Sequence, residues 1–377
     1  LNLIYKGVKN LTINLPGQYE QSNNFWYGYR NAWILNRQTG DPGMAEENRD
    51  KYTNYWLNAN ATYNWQINTN HKVNFLAGAE YQDQETENRY IDVQRATKSI
   101  YDGGKNPEYD SIINARDFNT TYQKRFQSFL GRINYSYKSK YILQGSLRRD
   151  ASSVFRGNNR FAYFPTVSGA WVISDEGFLR DLKGKISFLK LRLSWGQTGS
   201  SNIPWNAGYP SVTLQGPTYN GIQAIVRNNL GNPNLKWETT DNLDAALEFG
   251  FFNNKINGEI AVYQKKTRDL LLEVPVNLYN GVGGSQWQNQ GSVVNEGIEF
   301  TLNTTNVQTN KFKWTTNFNI AHNYNEVLDI GSLLPDAIGG GTNETRIVPG
   351  YPIGTIFTVR YVGVDPNDGL PIFLDKN

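Results

Sequence analysis

The chain has 377 residues, a formal net charge of +3, no cysteine, one methionine and two histidines. Disulfides, thiol nucleophiles and cysteine-ligated metal centres are thereby excluded, and so weak a positive charge, spread thinly along the sequence, argues against a nucleic-acid binder. With 10 Trp, 23 Tyr, 18 Phe, 35 Gly and 47 Asn the inventory is β-rich, and no run approaches the roughly 20 apolar residues of a membrane-spanning helix. A mean hydropathy of −0.59 does not exclude a membrane barrel, because strands that alternate lipid-facing and water-facing residues average to such values.

In chain order, the first clear strand is Lys72 to Tyr81, where Val73, Phe75, Ala77, Ala79 and Tyr81 share one face. The same period of two returns at Leu189 to Trp195, Leu243 to Phe249, Ile256 to Val262, Ile298 to Leu302 and Trp314 to Tyr324. No segment repeats apolar residues at three and four, so helices are expected only as short pieces in loops.

Brief polar links at Lys6 to Asn10, Ile67 to His71, Lys138 to Lys140, Phe252 to Lys255 and Asn306 to Lys311 read as hairpin turns. Asp175 to Ser187 is a longer link of the same set. They alternate with long stretches at Asn31 to Lys51, Glu85 to Thr121, Gln197 to Trp237, Thr267 to Val293 and Asn325 to Gly354, with a shorter one around Asp150 to Arg160. Antiparallel strands reverse direction each time, so this alternation sorts the short turns to one end of the sheet and the long loops to the other. Outer-membrane barrels have this layout, with short periplasmic turns and long extracellular loops. The expected fold is all-β: a transmembrane antiparallel β-barrel, partial, with about thirteen strands of a larger barrel. Its lipid-facing set is Leu243, Leu247, Phe249, Ile298, Phe300, Leu302, Phe318 and Ile320. Tyr135, Tyr137 and Tyr141 around one short turn, and Trp171, Trp195, Trp237 and Trp314 near strand ends, suit an interfacial girdle.

Several stretches resemble the SusC/RagA-like family of TonB-dependent outer-membrane transporters of Bacteroidota. The most specific is Gly231 to Leu272, GNPNLKWETTDNLDAALEFGFFNNKINGEIAVYQKKTRDLLL. Phe164 to Phe178, FPTVSGAWVISDEGF, and Leu189 to Ile203, LKLRLSWGQTGSSNI, precede it; Asn289 to Leu302, NQGSVVNEGIEFTL, and Val362 to Asn377, VGVDPNDGLPIFLDKN, follow it in family order. Such transporters have about 22 strands. Residues 1–377, beginning at Leu1, therefore read as the middle and later part of a single barrel domain, without the plug domain or the final strands. The resemblance implies an outer-membrane location and active import of a large polar substrate, a glycan or peptide. It also implies capture with a SusD-like surface lipoprotein, coupling to the TonB complex through the plug, contact with outer-membrane lipid, and compatibility with a dimer of the transporter pair. No cofactor, nucleic-acid partner or enzymatic activity is expected. Two other readings are a secreted soluble β-sandwich that binds glycans, whose apolar faces would be buried between layers, and a TonB-dependent siderophore receptor or passive porin.

Chemistry is sparse. His71 and His322 lack neighbours at metal-ligand spacing, no Gly-x-Ser-x-Gly elbow occurs, and Gly339 to Gly341 is not followed by Lys-Ser/Thr; no catalytic or metal residue is assigned. The Asp365, Asn367, Asp368, Gly369 cluster reads as a turn rather than a calcium loop. Glu80, Lys190, Arg192, Glu248, Glu259 and Glu299 are candidates to line a lumen. Candidate substrate-binding residues are the loop aromatics Trp205, Tyr209, Tyr219, Tyr279 and Trp287, whose faces stack on sugar rings or peptide side chains, beside the amides Asn206, Asn220, Gln286 and Gln288.

Overall fold

The computed structural model describes residues 1–30, 44–94, 115–182, 184–214, 225–276, 285–333, 345–356 and 358–374. In chain order the strands are β1 (Asn2–Tyr5), β2 (Leu11–Arg30), β3 (Met44–Gln66), β4 (His71–Gln94), β5 (Ala115–Tyr137), β6 (Tyr141–Ser152), β7 (Phe161–Val172), β8 (Ile186–Ser200), β9 (Ser211–Leu214), β10 (Ile225–Asn229), β11 (Glu238–Phe251), β12 (Ile256–Arg268), β13 (Leu271–Pro275), β14 (Ser285–Asn289), β15 (Ser292–Gln308) and β16 (Lys313–Asp329). Four two-residue to four-residue strands follow: β17 (Thr345–Arg346), β18 (Thr355–Ile356), β19 (Tyr361–Val364) and β20 (Pro371–Phe373). Twelve of the described strands form one sheet in the order β1-β2-β3-β4-β5-β6-β7-β8-β11-β12-β15-β16, and the rest form two-stranded ladders. Described helical residues are confined to three 3-10 segments, Gly157–Arg160, Ile173–Asp175 and Gly177–Leu182, and no described helix is long and apolar enough to cross a membrane.

The all-β, antiparallel fold is as expected, with two differences of extent. The sheet holds twelve strands rather than about thirteen, because the described strands after Asp329 pair with each other, β17 with β18 and β19 with β20, and not with β16. Strands also run into stretches expected to be loops, at 44–51, 85–94 and 115–121. The apolar alternation that marks a strand exists only where one face meets hydrocarbon. These three stretches are mostly polar at successive positions, so the period of two carries no apolar signal there.

Contacts divide the chain into two compact units, one of residues 1–63, 76–130 and 150–154, the other of 64–75, 131–149 and 155–377. In the first, β1 lies antiparallel on β2 with Leu3 opposite Leu15, and β2 on β3 with Tyr19 opposite Tyr55, their rings 5.1 Å apart. Glu80 accepts the Trp56 indole N–H at 2.7 Å. Asp83 accepts from Gln123 and from Arg125, at 2.9 and 3.2 Å.

In the second unit the register lines up whole rows of one chemistry. Leu191, Leu247, Ile260, Phe300 and Ile320 stand side by side across β8, β11, β12, β15 and β16. One row toward the short turns come Leu189, Phe249, Gly258, Leu302 and Phe318; one row the other way come Leu193, Ala245, Val262, Ile298 and His322. The apolar side chains of β11 on this face run from Leu243 to Phe251, about 27 Å at ~3.4 Å per residue, which matches the ~25 Å apolar band of a membrane barrel. Level with Leu243 the same face is already polar on the neighbouring strands, where Gln264 Nε2 donates to Glu296 Oε1 at 2.6 Å.

No described layer covers this band. Leu243 is 54% exposed, Phe318 49% and Ile320 59%, while Leu247, Phe249, Phe300 and Leu302 are half-buried by their strand neighbours alone. A soluble sandwich would have sealed these residues between sheets.

At the short-turn end the band is edged by rings. His71 lies tilted 4.8 Å from Tyr137, Tyr137 lies 6.2 Å from Tyr141, and Tyr141 lies 6.5 Å from Trp171, so the expected girdle is present from β4 to β7. Trp237 does not belong to it, being 5% exposed. The ladder ends on Glu176, which accepts the Tyr141 hydroxyl at 2.6 Å, the Trp171 indole at 3.2 Å and the Lys140 ammonium at 3.4 Å. The Tyr141 hydroxyl first, then the Trp171 indole and the Lys140 charge, hold the Glu176 carboxyl below the usual carboxylate range.

Two outcomes are expected. Leu247→Arg, at mid-band, should destabilise the folded barrel by about 2–4 kcal/mol in urea unfolding from lipid vesicles, whereas Leu243→Arg near the edge should cost only about 0–1 kcal/mol. Equal costs would mean that the face is not in lipid. The Glu176 carboxylate, with its folded pKa depressed, stabilises the fold above its unfolded pKa, and this is lost as pH falls through the folded value. The stability difference between the parent and Glu176→Gln should therefore be constant near neutrality and vanish in acid.

Candidate functional site

The face opposite the band carries the charge. Glu248 takes Lys190 at 3.2 Å and Arg192 at 2.7 Å, and Arg192 reaches on to Glu259 at 2.7 Å, so one chain of alternating sign links β8, β11 and β12. Four of the six expected lumen residues are thus brought together, while Glu299 stands exposed on the same face between Ala261 and Ala321. Beside this chain, toward the short turns, lies a recess of about 500 Å³ lined by Glu248, Glu259, Phe188, Thr301 and the amides Asn254, Asn257 and Asn303. Ion pairs this exposed contribute less than about 1 kcal/mol each; their effect is to keep the wall hydrophilic and wet.

The long-loop end is built differently, around a small core of its own. Phe155 and Leu235 are fully buried, and Ile203, Ala207, Phe164 and Trp237 are nearly so. The Trp237 ring packs 5.4 Å from Phe155 and 5.7 Å, edge-on, from Phe164, and its indole N–H donates to the Arg160 carbonyl at 3.0 Å. Arg160 Nε in turn donates to the Phe155 carbonyl at 3.0 Å, and Asn159 Nδ2 to the Asn234 carbonyl at 3.1 Å.

Amide side chains stitch the remaining loops together. Asn289 Oδ1 accepts the Lys236 N–H at 2.9 Å, while its Nδ2 donates to the carbonyls of Lys236 and Asp269 at 2.8 and 3.0 Å. Asn232 Nδ2 donates to the Trp287 carbonyl at 2.9 Å, Gln286 Nε2 to the Gly231 carbonyl at 2.6 Å, and Gln288 Nε2 to Gln286 Oε1 at 3.1 Å. Gly231 has φ +62°, and a Cβ there would lie 2.3 Å from the Tyr209 carbonyl carbon. Only glycine lets these two loops meet so closely.

The candidate binding residues divide accordingly. Trp205 is 37% exposed, in the segment between buried Ile203 and Ala207. Tyr209 lies under the Arg156 guanidinium, 4.7 Å from the ring centroid. Trp287, half-buried, sits on β14 between the bracing amides Gln286 and Gln288. Tyr219, Tyr279 and Asn220 lie outside the described residues, as do Gly339 to Gly341. Sequence reasoning missed Arg156, Asn232 and Asn289; the dense Asn-Pro-Asn-Leu-Lys-Trp run was the one available sign of a built loop.

His71 Nδ1 is 2.7 Å from the Tyr135 hydroxyl, and His322 is an exposed residue in the Ile298 row. Asp365 Oδ1 accepts the Asn367 N–H and Asp368 Oδ1 the Leu370 N–H, both at 2.9 Å, which is how a tight turn uses aspartates.

The sequence pattern of the family described as TonB dependent receptor-like, beta-barrel, matches residues 2–370. The chain belongs to that family. TonB-dependent receptor P26 of Formosa agariphila is 37% identical over 334 residues, covering 86% of the chain and 33% of the relative. TonB-dependent receptor SusC of Bacteroides thetaiotaomicron is 35% identical over 270 residues, covering 66% and 26%. The solved structure of the RagAB peptide transporter superposes with a TM-score of 0.84 at 25% identity, over 98% of the chain and 40% of that one. The chain thus spans about a third of the length of these TonB-dependent receptors, and the SusC/RagA-like resemblance and the outer-membrane location both stand on these matches.

Removing the Asn289 side chain should release the 231–237 loop. In Asn289→Ala, three hydrogen bonds to backbone, one of them part-buried, are lost at a local cost of about 1–3 kcal/mol. Amide exchange at Lys236 should speed up roughly ten-fold or more, with the strand amides of β11 and β12 unchanged.

Proposed function

We propose that residues 1–377 are part of a single barrel domain of a SusC-like transporter that actively imports a large polar substrate, a glycan or peptide. In this reading a SusD-like lipoprotein captures the substrate with it, and the TonB complex supplies the energy through a plug domain. The observation that carries it is the loop end: aromatic and amide side chains held on a buried Phe155–Trp237 core, above a wall whose inner face is charged and wet. Rigid rings lose little entropy on stacking against a sugar or peptide, and fixed loops lose little on closing around it. Trp205, Tyr209 and Trp287, with Tyr219 and Tyr279, are assigned to substrate contact, each ring contributing about 1–2 kcal/mol, or roughly 5–30-fold in affinity. The RagAB neighbour, a peptide transporter by its title, supports the peptide class.

The test is uptake by cells that make the transporter, supplied separately with an oligosaccharide mixture and a peptide digest as sole carbon source. Trp205→Ala combined with Trp287→Ala should slow uptake of one of the two at limiting concentration, with normal amounts of folded protein in the outer membrane. Uptake unchanged for both would remove these rings from the substrate path. Failure of any surface lipoprotein to copurify with the tagged transporter would remove the SusD-like partner.

A further inference from the structure

The short turns of the second unit form a continuous rim. The Lys138 N–H donates to the Asn70 carbonyl at 2.7 Å and Val172 to Lys140 at 2.8 Å, while Phe252 donates to Lys185 at 2.8 Å and Thr305 to Lys255 at 2.7 Å, so adjacent turns touch at one level. Each of the five turns carries an exposed lysine at or beside it: Lys72, Lys138, Lys185, Lys255 and Lys311. Lys140, Arg180 and Lys313 lie among them. Against these eight cations the same turns offer three carboxylates, Asp175, Glu176 and Asp181. The described rim therefore has an excess of five positive charges in a chain whose total is +3.

Pairing differs between the ends as well. At the loop end Lys236 meets Asp269 at 2.8 Å and Arg268 meets Asp241 at 2.5 Å. Among the described residues of the rim, Lys140 pairs with Glu176 and Lys138 lies over the Tyr137 ring, but Lys72, Lys185, Lys255, Lys311 and Lys313 have no carboxylate within ion-pair distance. Lysines of a surface that only needs solubility are ordinarily mixed with carboxylates of opposite sign. These stand unpaired immediately beyond the Tyr137–Tyr141–Trp171 ladder, at the level where a bilayer's hydrocarbon gives way to headgroups.

We propose that this lysine rim binds the phosphate-bearing headgroups of anionic glycerophospholipids in the leaflet on the short-turn side, fixing the depth and tilt of the barrel. Lysine suits the task because a long apolar stem can run along hydrocarbon while its ammonium reaches a phosphate, and each such charge near an anionic surface strengthens binding roughly five-fold. The inference rests on the outer-membrane location and is independent of what the transporter carries.

The experiment is native mass spectrometry of the full-length transporter after exchange into mixed micelles holding equal amounts of phosphatidylglycerol and phosphatidylcholine. The parent protein should retain phosphatidylglycerol preferentially. Combined substitution Lys72→Gln, Lys138→Gln, Lys255→Gln and Lys311→Gln should cut that preference at least five-fold, while Lys236→Gln with Lys266→Gln at the loop end leaves it intact. High ionic strength should erase the preference in the parent protein itself, a readout that needs no variant to fold. No preference in the parent, an undiminished one in the rim variant, or an equal loss in the loop-end variant would overturn the proposal. Capture by purified peptidoglycan that the rim substitutions abolish, without any lipid preference, would overturn it in favour of the cell wall.

Discussion

Hydrocarbon offers a backbone no hydrogen-bond partner, and the rest of the structure follows from that. A chain that meets lipid along one face must satisfy every amide and carbonyl against its own neighbours, and consecutive antiparallel strands joined by tight turns are the cheapest way to do so. The pairings from β7 through β8, β11, β12, β15 and β16 run in nearly unbroken register. Connections that do not cross the membrane are free of this rule, and among the described residues the 3-10 segments are found in them.

Because strand side chains alternate, the same pairing that satisfies the backbone sorts chemistry onto two surfaces. One is the Leu191–Leu247–Ile260–Phe300–Ile320 band, uncovered by protein. The other holds Lys190, Arg192, Glu248 and Glu259 in a chain of opposite charges. Neither would be stable reversed: the charges would lie in lipid, and the band would face water. Buried apolar residues, scarce in the sheet, gather instead at the loop end, where Phe155, Leu235 and Trp237 make a compact support that hydrogen-bonded amides extend from loop to loop.

The two ends of the second unit handle charge in contrasting ways. At the loop end Lys236 and Arg268 are neutralised by near carboxylates, and Arg156 is spread over the Tyr209 ring. Turn-end lysines are largely left unpaired, beside a ladder of rings with one foot in the apolar band. A difference of this kind between two ends of one sheet gives the molecule an electrostatic direction as well as a structural one.

Much of this was legible in the sequence. Period-two alternation at Leu243 to Phe249 and Ile298 to Leu302 marked the strands and their greasy face, because side-chain direction in a strand is set locally, and the Gly231 to Leu272 stretch marked the family. Alternation was silent at 85–94 and 115–121, where polar residues dominate the sequence. Tertiary structure alone decided the lateral register that sets Leu247 between Leu191 and Ile260, the burial of Trp237 that a girdle reading had left at the interface, and the use of Asn289 as a clasp between loops. Those depend on which distant segment lies alongside, and no local pattern of residues specifies a neighbour dozens of positions away.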